Sequence, residues 1–453
     1  MVSSTNINEE RMIGELFGTI RDTVLAYGWW ATVGIKSTFT RRMFRRVARD
    51  RHVALLAWHF PPSVDSGVYR PASLARYGTT FGWKMSVICG PYPTTGTEEG
   101  KYLLETLPEG TVIHRVIRPR LQTSYNYFPR VNGGFLNSLA AFSTVLQLLK
   151  KNPPAIVMAS GPPFNSFVAG YYIASYYKAR LVLDYRDEWT ESPFPLVDLR
   201  SVDRYWERRC LKKANAVFFT TQSQLDHQLA VFDVLERAKC TVIPNAWEPR
   251  DFGNTMHLSD DYSRKDGRFV LSFIGKLSDR ILPGDFLTVL TAVLSRSGDL
   301  RNRICLRLVG NRSENAMAQL SDFPFQDTLE ILDHVPKPVA NQMMRASSAL
   351  LILNNDDWAR YRQGKLYDYL AAGPPILVFG ANGEMAELVT KLQAGVIVPA
   401  NNADSLEQAL RLLINRGSSG QYKASRQKWL SDNTRERMAE NMIRVFDGLV
   451  KKQ

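Results

Sequence analysis

The 453-residue chain has few cysteines: Cys89, Cys210, Cys240 and Cys305, all far apart. Without a CxxC pair, that spacing signals neither a zinc site nor a disulfide framework, and free, buried thiols in a reducing compartment are expected. No stretch approaches the roughly 20 apolar residues of a spanning helix. Glu9, Glu10 and Arg11 interrupt any apolar run near the start, so no signal peptide is expected. Common catalytic fingerprints are also missing. There is no GxxxxGKS/T and no GxGxxG behind a strand, which removes support from P-loop and dinucleotide-binding readings. HExxH and GxSxG do not occur, and the six histidines show no metal-ligand spacing. Acidic residues are outnumbered: 44 Asp and Glu against 57 Lys and Arg leave a formal net charge of +13. That excess favours anionic partners such as nucleic acid, acidic lipid or phosphorylated substrates, without choosing among them.

What is present is a globular composition, 45% hydrophobic, in a chain too long for one ordinary core. Residues 1–50 stand apart. Ile13, Leu16, Phe17, Ile20, Val24 and Leu25 recur at helical spacing, Trp29 and Trp30 follow, and then come Lys36, Arg41, Arg42, Arg45, Arg46, Arg49 and Arg51. Such an amphipathic, basic extension can lie in an anionic bilayer surface. It can equally pack on the protein's own body with a solvated basic face.

From His52 the chain alternates between strand and helix. Strands are expected at 53–58, 84–89, 155–159, 181–184, 216–220 and 241–243, with helices over 67–82 and 167–177. After a polar, turn-rich stretch from Pro244 to about Arg268, which reads as a linker, a second series begins. Its strands are expected at 269–274, 305–309, 329–332, 350–353, 376–379 and 396–398. Strands alternating with helices predict α/β domains, each a parallel sheet covered on both faces. The end of the chain, about 425–450, reads as a further helix.

In such sheets ligands bind beyond the carboxyl ends of strands, and polar residues cluster there. The first strand is followed by His59, two prolines, then Ser66, Gly67 and Arg70, a glycine turn that can approach a phosphate or sugar or serve as an ordinary loop. After 181–184 comes Asp184-Tyr185-Arg186-Asp187-Glu188-Trp189, which could bond hydroxyls and stack a sugar ring, or form an ion-paired turn. After 269–274, Lys276 and Arg280 could clamp a diphosphate, or be solvated. The most informative segment is GKLYDYLAAGPPIL, Gly364 to Leu377. Leu366, Tyr369 and Leu370 share a helical face, Gly373 and two prolines end the helix, and an apolar strand follows. Gly364 offers free N–H groups to an anion, and Asp368 lies one turn in. A pyrophosphate at this terminus and a ribose hydroxyl on Asp368 would fit one nucleotide. A glycine before a helix and a helical aspartate also occur where nothing binds.

In their order from His52 to about Leu413, the pieces FPPSVDSGVYRP, LDYRDEW, ANAVFFTT, VIPNAWEPRDF, FIGKLSDR, LRLVG and GKLYDYLAAGPPIL resemble glycosyltransferase family 4. Ala246 replaces a glycine usual in the fourth piece. The resemblance implies a GT-B fold, two Rossmann-like parallel-sheet domains facing a central cleft. It divides the chain into the extension 1–50, an acceptor domain 51–250, a donor domain 251–424, and a C-terminal helix 425–453 packing back on the first domain. It implies a retaining enzyme that moves a sugar from a nucleotide-diphosphate donor to a carbohydrate or polyprenyl-linked glycan acceptor in cell-surface polysaccharide biosynthesis. No metal or other cofactor is implied, and no nucleic acid. Donor contacts fall to Ser66, Gly67, Lys276, Arg280, Gly364, Lys365, Leu366 and Asp368, and acceptor contacts to Arg70, Arg186 and Asp187. Asp187 is the expected partner of the acceptor hydroxyl, and Lys276 and Arg280 stabilise the leaving diphosphate. Asp368 matches the second acid of the family's E-x7-E motif, while Arg360 stands at the first, so the chain departs from the motif there. A cytoplasmic location on the inner face of an anionic membrane is the corresponding expectation. The alternatives are a GT-B nucleotide-sugar epimerase and a non-catalytic nucleotide- or carbohydrate-binding protein. A nucleic-acid binder is disfavoured because the basic run is concentrated in the extension.

Overall fold

The computed structural model describes residues 51–64, 67–91, 98–109, 111–116, 134–149, 152–194, 200–253, 266–380, 382–416 and 420–451. The basic extension 1–50 and Ser66 lie outside the described residues. The chain divides into two compact units between Ile243 and Pro244, and the first also takes the end of the chain from Met438.

The first unit is built on seven strands: β1 His52–Ala57, β2 Lys84–Cys89, β3 Val112–Arg115, β4 Ile156–Gly161, β5 Arg180–Tyr185, β6 Ala216–Phe219 and β7 Cys240–Val242. They lie in the order β3-β2-β1-β4-β5-β6-β7, every neighbouring pair parallel. Every residue of β1 is buried, as the continuous apolar run of a centrally placed parallel strand requires. Val53 pairs with Met85 on one side and Ile156 on the other. The strand order therefore reverses between β1 and β4, the place where open α/β sheets leave a crevice for ligands.

Behind β5 the core is aromatic. Trp189 stacks on Phe164 at 5.0 Å, and Tyr185 meets Phe167 edge-on at 4.8 Å. Both residues are completely buried. They are thus not available to stack a sugar, the possibility that the polar stretch 184–189 had raised. The helix Arg200–Lys213 fixes them. Asp203 accepts from the Trp189 indole at 2.7 Å, and Glu207 accepts from the Tyr185 hydroxyl at 3.1 Å and from the amide of Thr190 at 3.0 Å. The end of the chain closes this unit: Phe446 meets Trp83 edge-on at 5.6 Å, and the Trp83 indole donates to Asp447. The edge strand β3 and the helix Phe135–Leu148 were not anticipated from sequence.

The second unit has six strands: β8 Phe269–Ile274, β9 Ile304–Val309, β10 Leu329–Leu332, β11 Ala349–Leu353, β12 Ile376–Phe379 and β13 Gly395–Val398. Their order is β10-β9-β8-β11-β12-β13, again all parallel, with the reversal between β8 and β11. The first part of the expected linker is in fact packed here. Trp247 meets Phe252 at 6.0 Å and donates through its indole to the carbonyl of Leu430 at 2.8 Å. Trp247 also forms a bridge with Thr434, taking main-chain bonds that a continuous helix would have used. The single C-terminal helix expected over 425–453 is therefore two, Gly420–Asp432 and Arg435–Lys451. Among the described residues no helix is long and apolar enough to cross a membrane.

The helix Gly364–Ala372 forms as expected, with Leu366, Tyr369 and Leu370 fully buried. Gly373 ends it with φ +115°, a conformation that suits glycine. Arg426, 1% exposed, donates to the carbonyls of Pro374 (3.3 Å) and Gly373 just past the end. A buried cation there satisfies carbonyls left over at the helix terminus and complements its dipole.

Two predictions follow from these buried charges. Arg426→Leu should destabilise the second unit by about 1–3 kcal/mol for each carbonyl left without its donor, read as a lowered transition in urea or thermal unfolding; an unmoved transition would deny the cap any role. Burial pushes the Glu207 carboxyl up from 4.5 to about 7, against the opposing pull of its Thr190 and Tyr185 bonds. The folded state then holds this proton more tightly than the unfolded chain, so this contribution is complete below about pH 4.5 and is lost as pH rises to 7. Glu207→Gln should flatten that slope of stability against pH, and a slope identical to that of the parent protein would exclude Glu207 as its source.

Candidate functional site

In the second unit the switch point lies between β8 and β11, and glycines let the backbone close in. Gly275 ends β8 with φ +142° and donates to the carbonyl of Val309 at 2.8 Å. Gly310 ends β9 with φ +127°, and a Cβ there would sit 2.5 Å from the Gly275 carbonyl oxygen. Both positions need glycine, for the conformation and for the approach. Beyond Gly275 the loop turns outward. Lys276 and Arg280 are exposed, and the carbonyl of Arg280 accepts from the Trp358 indole at 3.2 Å. That bond ties the loop after β8 to the loop after β11.

The loop after β11 carries the exposed turn Asp356–Trp358 and then half-buried Arg360, 6.0 Å over the Tyr361 ring. Arg362 pairs with buried Glu384 at 2.5 Å. Buried Gln363 donates to the carbonyl of Leu353 at 2.8 Å and makes no side-chain cap to the helix that follows. Gly364 is exposed at that helix terminus, whose leading N–H groups lack partners within the helix. Leu366 is committed to the core, and its amide already donates to the carbonyl of Gln363 at 3.0 Å, so the donor contact expected of it is taken up within the protein and the open amides are those of Gly364 and Lys365.

Lys365 folds back under the loops. Its Nζ is sealed from solvent without a hydrogen-bond partner and lies 3.5 Å from the centroid of the Phe273 ring. It abuts Gly275, where an added Cβ would be 3.1 Å from Nζ. Burial lowers its pKa from 10.5 to about 7. One turn along, Asp368 forms an ion pair with Lys337, the first residue of the helix Lys337–Ala346. Both side chains are largely buried, 13% and 19% exposed. Arg435 approaches Asp251 at 4.0 Å, and burial raises the Asp251 pKa against the pull of Arg435 and Lys337. Lys337 was missed by sequence reasoning. Its partner is 31 residues away, and the usable signal was its place at a helix start behind β10.

In the first unit the switch point between β1 and β4 is braced by Arg186. Its amide donates to the carbonyl of Gly161 at 3.1 Å, and its guanidinium reaches the carbonyls of Gly161 (3.3 Å) and Pro162. Gly67 lies against it, since a Cβ at that position would fall 1.8 Å from Nη1. The loops after β1, β4 and β5 therefore meet at this side chain. Arg70 is placed differently. It is 4% exposed and holds fully buried Asp184 through Nε and Nη2 at 2.8 to 3.1 Å. Ser160 donates to the same carboxylate at 2.9 Å. Asp187 is half-buried between the braced Arg186 and the buried Glu188, which meets His227 Nδ1 at 2.7 Å.

The structure thus brings Gly67 to Arg186 and Lys365 to Gly275, puts Lys276 and Arg280 on the loop after β8, and gives Asp368 an unexpected cationic partner. Among the described residues no group of three or more His, Cys, Asp or Glu could hold a metal ion.

A family model described as a Glycosyl transferase 4-like domain matches residues 69–246, and one described as Glycosyl transferases group 1 matches residues 268–416. No curated protein matches the chain. Among solved structures the chain is similar to a sucrose-phosphate synthase from Thermosynechococcus elongatus, with a TM-score of 0.68 and 13% identity over 89% of this chain and 100% of that one. It is similar to WaaG, a glycosyltransferase involved in lipopolysaccharide biosynthesis, with a TM-score of 0.60 and 14% identity over 87% of this chain and 100% of that one. A UDP-GlcNAc 2-epimerase from Methanocaldococcus jannaschii gives a TM-score of 0.51 and 12% identity over 87% and 99%. Identities this low establish the fold, which transferases and epimerases share. The family matches go further, because both name one activity and together they span most of the sequence. With two Rossmann-like parallel-sheet domains of the GT-B fold, one matching each model, the chain belongs to the glycosyltransferases.

Proposed function

We propose that the protein is a retaining transferase that moves a sugar from a nucleotide-diphosphate donor to a carbohydrate or lipid-linked glycan acceptor in the making of cell-surface polysaccharide. The observation that carries this reading is the open terminus of the helix Gly364–Ala372 at the β8–β11 switch point, with the unpartnered Lys365 Nζ beside it. Lys276 and Arg280 on the exposed loop after β8, with Lys365 in the first turn of the helix, give the switch point three amines or guanidiniums, which suits a diphosphate better than a neutral ligand. Asp368, one turn further, suits the ribose diol. The donor would then lie with its phosphates at the amides of Gly364 and Lys365.

In the proposed reaction the acceptor oxygen bonds to C1 of the sugar on the face from which the nucleotide leaves. The bond from C1 to the phosphate oxygen breaks, and the diphosphate departs with the electron pair. Lys276, Arg280 and the helix amides stabilise that charge as it develops. Asp187 receives the acceptor proton. It sits between two anchored neighbours, which suits a group that must be held in place. Gly67 and Arg186 shape the acceptor side, with Ser66 next to Gly67 in sequence. Arg70 supports that side from beneath through Asp184. The basic extension 1–50 suits an acceptor carried on an anionic membrane.

A thermal-shift screen of nucleotide sugars should find one that raises the melting temperature, because a ligand bound to the folded state stabilises it. Against that donor, Lys276→Ala and Asp368→Ala should each weaken binding roughly 10-fold or more, as loss of a charged hydrogen bond does. If calorimetry gives both variants the affinity of the parent protein, the donor assignment is wrong. Removing residues 1–45 should reduce cosedimentation with anionic vesicles, and unchanged sedimentation would sink the membrane reading.

A further inference from the structure

Lys365 occupies an unusual position for an amine. It is the second residue of a nine-residue helix, where the macrodipole is positive and a fixed cation is disfavoured. Its Nζ is buried, has no hydrogen-bond partner, and contacts the Phe273 ring face and Gly275. Among the described residues no charged group on the surrounding elements contributes to its titration. Lys276, Asp279 and Arg280 follow β8, Asp279 accepting from Asn315, Asp356 and Asp357 stand exposed on the turn after β11, and Arg312, which follows β9, pairs with Asp333. Asp368 on the same helix pairs with Lys337. Burial alone accounts for the depressed pKa, with no charged neighbour contributing.

We propose that Lys365 is a neutral amine while the site is empty and takes up a proton from solvent when a nucleoside diphosphate places its phosphates at the Gly364 helix terminus. This rests on the donor reading above and adds a charge state to it. The anion supplies the missing counter-charge across the first turn, which favours the ammonium form. The consequence reaches into catalysis. A sugar-bearing diphosphate carries less negative charge than the free diphosphate it becomes, so protonated Lys365 favours the departing group over the ground state. Affinity for the free diphosphate should therefore fall as pH rises above about 7, by up to 10-fold per pH unit.

The test is isothermal titration calorimetry of the full chain with UDP, ADP and GDP in turn at pH 8, in Tris and in HEPES, whose ionisation enthalpies differ. The nucleotide that binds should bring close to one proton into the complex. Lys365→Met should bind it more weakly with no uptake. Lys365→Arg, which keeps a long side chain and a permanent charge, should also show none. Binding to the parent protein without proton uptake overturns the inference and leaves the donor reading intact. Uptake that persists in both variants places the proton elsewhere and overturns it too. If none of the three nucleotides binds at any attainable concentration, the donor reading falls and the inference falls with it.

Discussion

The helix Gly364–Ala372 is fixed by buried hydrogen bonds from its middle and just past its C-terminal end, and the placement of its first turn depends on them. The Tyr369 hydroxyl accepts from the amide of Ile274 at 2.8 Å and donates to the carbonyl of the same residue at 3.3 Å. That ties the helix to the last residue of β8. Arg426 holds the C-terminal end at Gly373 and Pro374. The buried face, Leu366 and Leu370, locks rotation about the axis. The first turn is consequently held beside Gly275 without a side-chain cap of its own. An anion arriving there would meet amides already oriented, with little reorganisation still to be made.

The first unit solves a similar problem with a buried ion pair. Removing one partner of such a pair leaves an uncompensated charge, so its geometry is strongly enforced. Asp184 closes β5, and Arg70 stands three residues after Gly67, so their bond fixes two loops at once. Two residues past Asp184, Arg186 then reaches the ends of both the β1 and β4 loops, and Gly67 must lack a Cβ to admit it. Asp187 inherits its position from these anchors and from Glu188, held by His227. The residue proposed to meet the acceptor is thus placed by neighbours that have no need to touch a substrate.

Much of this fold was legible in the sequence, because central parallel strands are buried on both faces and read as short apolar runs. HVALLA in β1 and FVLSFI in β8 are of that kind. β3, VIHR, is a four-residue edge strand with no fully buried residue, and it left no such run. The segment GKLYDYLAAGPPIL carried both its helix and its stop in local residues. The stretch 184–189 was harder. Tyr185 and Trp189 look like a sugar platform beside their charges, yet they face the aromatic core, because Asp203 and Glu207 on a later helix accept their polar atoms. Which way a strand-end aromatic points depends on partners that local pattern does not contain. The break at Asn433 has the same origin, since it depends on where Trp247 packs.

Lys337 and Lys365 show why residue type alone could not describe the site. Both are lysines within reach of one short helix, and sequence assigns them the same charge. Lys337 has a carboxylate partner in Asp368 and a second acid, Asp251, whose titration it influences. Its charge is therefore compensated before any ligand arrives. Lys365 faces an aromatic ring and a glycine, so its charged form has only the weak attraction of the ring face, and no carboxylate, to set against the loss of water. A ligand contributes differently to each. A ribose diol at Asp368 would share a carboxylate that is already held in place, which favours geometry over charge. A phosphate beside Lys365 would supply charge where none is compensated, and its effect grows with every unit of negative charge it develops. On the proposed donor reading, one satisfied and one unsatisfied lysine would divide the recognition of the constant part of a nucleotide from the response to the part that changes during transfer.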